Sequence, residues 1–275
     1  MIALLADIGN SRIKWRIGSF GPRTTDVRWK SSEQALALGD LAHLPAGLAG
    51  HADVAVEAVL LSNVADDVVE AALRASVSRC WPDATVRSLR PTRHQCGVVN
   101  GYRDATRLGP DRWLAMIGAH AGWRERTLLV CSFGTATTID LLVAAESGDA
   151  RFVGGLILPG FETMRASLAG GTARLPMADG RTVDFAQDTD DAITSGIAAA
   201  QAGAVERAWR KAGGSKMPAI CVLAGGGATT MAALLTDLDM PFAVAHDLVL
   251  RGMATVATEM APAAGDPTGD ATPTR

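Results

Sequence analysis

Three short stretches carry residue types whose spacing suits phosphate chemistry. In the first, an apolar run from Ile2 to Ala6 ends on the carboxylate of Asp7, and Ile8 leads into the tight-turn tripeptide Gly9-Asn10-Ser11. Arg12 to Ile17 then alternates basic and apolar residues and includes Ile13, Lys14 and Trp15. The pattern is strand, turn, strand, with Asp7 at the mouth of a hairpin. A glycine beside small amide and hydroxyl residues leaves turn N–H groups open to an anion. A carboxylate next to such a nest suits a magnesium ion carried in on phosphates. A plain hairpin with a surface Asp satisfies the same pattern, so this stretch alone leaves both readings open.

The second stretch is Gly109-Pro110-Asp111-Arg112. Pro110 is placed to open a helix running to about Gly122, which puts Asp111 and Arg112 in its first turn. The helix dipole explains an acid there but disfavours a cation. An Asp-Arg pair at a helix start suits a general base beside an anion clamp. The preceding residues, from 91 on, are polar with few signals of regular structure, and a loop of that length in a compact chain is functional or disordered. It contains Tyr102, the only tyrosine of the chain.

The third stretch repeats the first. Thr127 to Ser132 is an apolar strand, Phe133-Gly134-Thr135-Ala136-Thr137-Thr138 turns, and Ile139 to Ala144 is a second strand. Setting Gly9 on Gly134 puts Asn10 on Thr135, Ser11 on Ala136 and Asp7 on Ser132. Two copies of one strand–turn–strand unit predict two similarly folded halves, able to grip one nucleotide's phosphates from opposite sides of a cleft. Gly225-Gly226-Gly227 after an apolar strand at Ala219–Ala224 is a weaker signal of the same kind.

The elements that must position these groups follow from periodicity and turn chemistry. Strands are expected at 24–30, 57–62, 85–89, 151–159 and 242–245. Helices are expected at 31–44, 66–80 with Val68, Val69, Ala72 and Leu73 inward, 161–169, about 189–212, from 229, and 248–260. Loops are expected at 45–53 and 170–190, the latter closing on the capping residue Asp188. The paired Gly154 and Gly155 imply a close backbone approach. Strands mixed with helices in this order predict an α/β chain with mixed sheets flanked by helices. Residues 261–275, rich in Pro, Gly, Ala and Thr, read as a disordered tail.

Composition narrows the function. The chain has 275 residues, 48% of them apolar, and a net charge of −3, which allows a sizeable core and disfavours nucleic acid as a partner. No apolar stretch reaches membrane-spanning length and no charged leader precedes the first strand, so a cytoplasmic location is expected. The four cysteines and five histidines are scattered, with no disulfide, zinc or triad pattern.

Taken together, these motifs resemble one family, the type III pantothenate kinases of the acetate kinase/sugar kinase/Hsc70/actin superfamily. The matching pieces are Asp7-Ile8-Gly9-Asn10-Ser11 with Lys14, Asn100-Gly101-Tyr102, Gly109-Pro110-Asp111-Arg112, Phe133-Gly134-Thr135-Ala136, Gly154 to Gly160, Thr189 before Ser195-Gly196-Ile197, and Gly225-Gly226, in the family's order. The chain also resembles the subgroup of the Bordetella accessory factor, where the second turn likewise reads SFGTATT. The resemblance implies two ribonuclease-H-like domains, here 1–118 and 119–260, with a nucleotide cleft between them. It implies phosphorylation of pantothenate by ATP, the first step of coenzyme A synthesis. Residues 7–14 (Asp7, Ile8, Gly9, Asn10, Ser11, Arg12, Ile13 and Lys14) would hold ATP phosphates, with Asp7 toward magnesium, and Thr135 would touch ATP. Asp111 would be the general base. Tyr102, Gly109, Pro110, Asp111, Arg112 and Thr189 would hold pantothenate, Arg112 facing its carboxylate. A homodimer is implied, with the pantothenate pocket near the dimer contact. Most of the family has Asp where this chain has Ser132, and that Asp binds an activating monovalent cation. A hydroxyl is a poorer cation ligand than a carboxylate, so dependence on K⁺ or NH₄⁺ is open. Two further readings stand: a kinase of another small alcohol, such as a sugar, and a non-catalytic accessory or regulatory protein.

Overall fold

The computed structural model describes residues 1–23, 27–213, 219–236 and 240–262. The chain divides into two compact units, Met1–Leu89 with Met253–Arg275, and Arg90–Gly252.

In the first unit, β1 (Ile2–Ile8) and β2 (Arg12–Ser19) form the expected hairpin, with Asp7 opposite Lys14 and Ile8 opposite Ile13. Next come β3 (Arg28–Trp29), β4 (Gln34–Ala37), a 3₁₀ segment at Leu38–His43 and α1 (Leu44–Ala49), followed by β5 (Ala58–Asn63), α2 (Asp67–Cys80) and β6 (Thr85–Ser88). The sheet order is β3-β2-β1-β5-β6, with β4 also on β2. Leu4, Ala6 and Ile8 share a face with Ile13, Trp15 and Ile17 and bury it against Leu44 and Leu48 of α1 and Leu73 and Val77 of α2. Alternation of period two puts those six side chains on one side of the sheet.

The second unit opens with β7 (His94–Gln95), β8 (Val98–Asn100), a 3₁₀ turn at Ala105–Arg107 and α3 (Pro110–Gly122). It continues with β9 (Thr127–Phe133), β10 (Ala136–Ala144), β11 (Ala150–Pro159), α4 (Phe161–Gly171), α5 (Thr189–Lys211), β12 (Ala219–Ala224), α6 (Ala228–Leu234), β13 (Phe242–Val244) and the start of α7 (Leu248–Met260). Its sheet runs β13-β12-β9-β10-β11-β8-β7. The order β11-β10-β9-β12-β13 repeats β3-β2-β1-β5-β6, with parallel and antiparallel pairs in the same places. The duplicated unit is therefore topological and not a chance sequence match. The second turn is one residue shorter. Ile8 pairs Ile13 across residues 9–12, whereas Phe133 pairs Thr137 across residues 134–136.

Several expectations are corrected. Residues 31–44 are not one helix. Gln34–Ala37 pairs with β2 from Trp15 to Arg12, alternates in burial and lets Leu36 reach the core. Strand pairing outweighed the capping signal of Ser31-Ser32-Glu33. The loop expected at 45–53 holds α1, with Pro45 in its first turn. Val68 is exposed, and Val69, Leu73 and Val77 form the inward face of α2. The polar stretch from 91 is partly ordered by the β7–β8 hairpin, whose turn places Cys96 and Gly97 at φ 51° and 77°. Of the strand expected at 24–30, Arg28–Trp29 forms among the described residues, while residues 24–26 lie outside them, as does the tail from 263. The units part near residue 90 and not at 118, because β8 joins β11 and α3 packs on β9 and β10.

Helices α3 and α7 meet through glycines. A Cβ on Gly252 would lie 1.9 Å from the Leu114 carbonyl oxygen, and one on Gly118 2.2 Å from that of Leu248. Gly252→Ala is therefore expected to lower stability by about 1–3 kcal/mol, more than the roughly 1 kcal/mol that alanine gains in helix propensity. Denaturant titration measures it; an unchanged midpoint would show that the helices separate freely.

Candidate active site

The first turn belongs to the first unit. Asp7 lies one residue from the end of β1, flanked in register by Lys14 on β2 and Ser62 on β5. The Ser62 hydroxyl is buried and makes no hydrogen bond among the described residues. Lys14 reaches Glu33 at 3.1 Å, with both side chains partly exposed. Ile8 and Ile13 are fully buried core residues, so only their backbone is available to a ligand. Asn10, Ser11 and Arg12 form the exposed tip. The Gly9 N–H is used inside the turn, donating to the Arg12 carbonyl at 3.0 Å. No group of three or more metal-ligating side chains gathers among the described residues. A single carboxylate in register with a lysine nevertheless fits magnesium, which takes one or two carboxylates and fills its shell with phosphate oxygens and water.

The second cluster stands at the start of α3. Gly109 caps the helix with extended backbone and Pro110 fills its first position. Asp111 is half-buried and accepts the Arg112 backbone N–H at 2.8 Å. Burial raises its carboxyl pKa, opposed by that hydrogen bond and by the Arg112 charge. Asp111 takes part in no salt bridge among the described residues. The Arg112 side chain is buried and points elsewhere. It donates from Nε to Asp140 Oδ2 at 3.1 Å, from Nη2 to Asp140 Oδ1 at 2.5 Å and from Nη1 to the Tyr102 hydroxyl at 2.9 Å. Burial alone would lower the Arg112 pKa, but Asp140 and Tyr102 more than reverse this and hold it charged. Tyr102 stacks on Phe152 with ring centres 5.3 Å apart, and its N–H donates to the Asn100 side chain at 3.0 Å. The close approach expected at the paired glycines is explained here, because a Cβ on Gly155 would fall 2.0 Å from Asp140 Oδ1 and 2.8 Å from Arg112 Nη2.

Glycines also surround the second turn. Gly134 donates to the Ala136 carbonyl at 3.1 Å. The Thr135 carbonyl accepts from the Gly160 N–H at 2.9 Å and the Thr163 hydroxyl at 2.7 Å. Gly225, at φ 84°, and Gly227 back onto Phe133, whose carbonyl accepts the Gly227 N–H at 3.1 Å. The Gly-Gly-Gly run, weak in isolation, thus sits beside the Gly134–Thr135 turn and leaves exposed backbone there. Ser132 is half-buried at the end of β9, between Thr138 and Ala224 in register.

Thr189 belongs to a different element. It opens α5, capped by Asp188, and lines a groove of about 780 Å³ between α4 and α5 with Met164, Leu168, Leu175 and Ile193. Among the described residues, no hydrogen bond joins it to Asp111, Arg112 or Tyr102.

Sequence reasoning missed Asp140 and Phe152. A carboxylate in the apolar run Ile139 to Leu142 was the available signal, because a buried charge needs a partner.

Two mixed sheets that share one strand order, with a glycine turn joining β1 to β2 in one and β9 to β10 in the other, define the actin-like ATPase fold. A protein from Sinorhizobium meliloti assigned as a 2-dehydro-3-deoxygalactonokinase shares this fold, with a TM-score of 0.61 over 94% of this chain and 99% of that one at 14% identity. A Baf family protein from Campylobacter jejuni does so with a TM-score of 0.54 over 94% and 98% at 19% identity. The family model of type III pantothenate kinase matches residues 3–211. Proteins of that name from Aromatoleum aromaticum and Cupriavidus pinatubonensis are 41% and 38% identical, covering 94% and 93% of this chain and 99% and 98% of their own lengths. The chain belongs to the type III pantothenate kinase family.

Proposed function

We propose that this chain transfers the γ-phosphoryl group of ATP to the hydroxymethyl oxygen of pantothenate, giving 4'-phosphopantothenate and ADP and opening coenzyme A biosynthesis. The observation that carries this reading is the Asp111 carboxyl, desolvated at a helix start and in no ion pair among the described residues while its arginine neighbour is tied to Asp140. Asp111 accepts the hydroxyl proton as the alcohol oxygen bonds to phosphorus and the bond to the ADP oxygen breaks. Tyr102, Gly109, Pro110 and Thr189 hold pantothenate, and Arg112 meets its carboxylate through the N–H groups that Asp140 and Tyr102 leave over. The backbone of residues 7–14, the Lys14 ammonium and Thr135 bind ATP. Magnesium, held by Asp7 and phosphate oxygens, supplies charge neutralisation. Phosphoryl transfer asks mainly for positioning and charge stabilisation, and turn N–H groups and a lysine are suited to both. The reading includes a cytoplasmic homodimer, supported by the apolar groove along α5; no described helix is long and apolar enough to cross a membrane.

A coupled assay of ADP release tests it, with pantothenate, a panel of sugars or no acceptor. Turnover is expected with pantothenate alone. Turnover with a sugar alone favours the other-alcohol reading, and none with any acceptor favours the accessory reading. Repeating the assay in sodium, potassium and ammonium salts addresses Ser132. One neutral hydroxyl replaces a carboxylate there, so weak dependence on the cation is expected; strong activation would mean that other groups build the cation site.

A further inference from the structure

The cluster at the start of α3 has one charged member with no part in the reaction as written. Asp140 lies mid-strand in β10 with its side chain buried, and its two oxygens take the Nε–Nη2 edge of Arg112. We propose that Asp140 is a positioning residue, which holds the Arg112 guanidinium against the Tyr102 hydroxyl and away from the adjacent carboxylate of Asp111. The inference rests on the kinase reading for its consequence, though not for its geometry.

Three features build the arrangement. The pairing is bidentate, which fixes orientation as well as charge. Gly155, the cross-strand neighbour of Asp140, leaves the space that a Cβ would take from both partners. The guanidinium carbon lies 5.7 Å from the Tyr102 ring centre and 5.9 Å from that of Phe152, so aromatic faces flank the cation. Asp111 is joined to Arg112 in the chain and already feels its charge. The Arg112 side chain is only 7% exposed, so solvent screens its charge little. Without Asp140, its counter-charge becomes Asp111, and a carboxylate paired with arginine is both occupied and less basic, by about 1–3 pKa units. The other titratable groups facing the pair are Tyr102, from the segment before α3, and the buried Cys131 thiol on β9. Stability alone is a weak reason for the pair, because an apolar pair of similar volume often serves as well.

Wild-type turnover of ATP and pantothenate is measured first, then that of Asp140→Asn across pH. The expected result is a fall in kcat of at least about tenfold with KM for ATP unchanged, and an acidic limb moved down by about one pH unit. A merely structural lesion lowers the plateau and leaves the limb in place, and that outcome overturns the proposal. Should Asp140→Asn not fold, Arg112→Met is compared with Arg112→Met/Asp140→Leu. Asp140 acts only through Arg112, so the second substitution is expected to cost nothing further; a further tenfold loss overturns the proposal. If the wild type does not turn over, the kinase reading falls and the positioning is read by NMR. The chain has one tyrosine, so ¹³C-tyrosine gives a single Cζ resonance. Asp140→Asn, or the double variant if that does not fold, is expected to move it; an unmoved resonance overturns the proposal.

Discussion

Asp111→Asn is expected to lose turnover by about 10²–10⁴-fold, to keep its affinity for MgATP, and to be more stable than the wild type at neutral pH. The first part follows from the proposed base role. The amide keeps the oxygen that accepts the Arg112 N–H, so the helix start survives while proton acceptance is lost. The stability gain follows from linkage. Burial raises the Asp111 pKa in the folded chain, so the native state binds this proton more tightly than the unfolded state. Stability is then lost as pH rises from the unfolded pKa through the folded one. The neutral amide escapes that loss, so thermal melts of variant and wild type should differ at pH 7 and converge in acid. Near-normal turnover removes Asp111 from the base role. A variant no more stable than the wild type at pH 7 would show that its carboxyl is well solvated.

Asp7→Ala is expected to abolish magnesium-dependent nucleotide binding. Asp7 is half-buried beside an exposed turn, between Lys14 and Ser62 in register, and the core face of β1 is carried by Leu4, Ala6 and Ile8. The alanine variant should therefore fold. Nucleotide at about a hundred times its Kd stabilises a native protein by about 2.7 kcal/mol. MgATP should raise the melting temperature of the wild type and leave that of the variant where it was. An equal rise in both would refute the assignment of phosphate and magnesium to this turn.

Local signals were legible in the sequence where local physics decides the structure. Pro110 after Gly109 marked the start of α3 to the residue, and apolar strands closing on glycine turns marked both hairpins. The duplication was legible as a pattern, but not the shorter second turn, because a register is set by pairing across strands. At Ser31-Ser32-Glu33 a capping pattern stood where the edge of β2 recruited Gln34–Ala37 as a strand. The largest omission was tertiary. Arg112 and Asp140 are separated by 28 positions and joined by two hydrogen bonds, and only packing of α3 on β10 brings them together. The arginine expected to face a substrate carboxylate also has one edge of its fork on a protein carboxylate, and Gly155 marks in the sequence the space this pair occupies.

The most direct test follows the phosphorus. With ¹³C-pantothenate, MgATP and the purified chain, ³¹P NMR should show a phosphomonoester growing as γ-phosphate disappears, coupled to the labelled hydroxymethyl carbon, and Asp111→Asn should leave both signals nearly unchanged. Release of inorganic phosphate with pantothenate unmodified would contradict the account, as would an ester that forms equally fast in the variant.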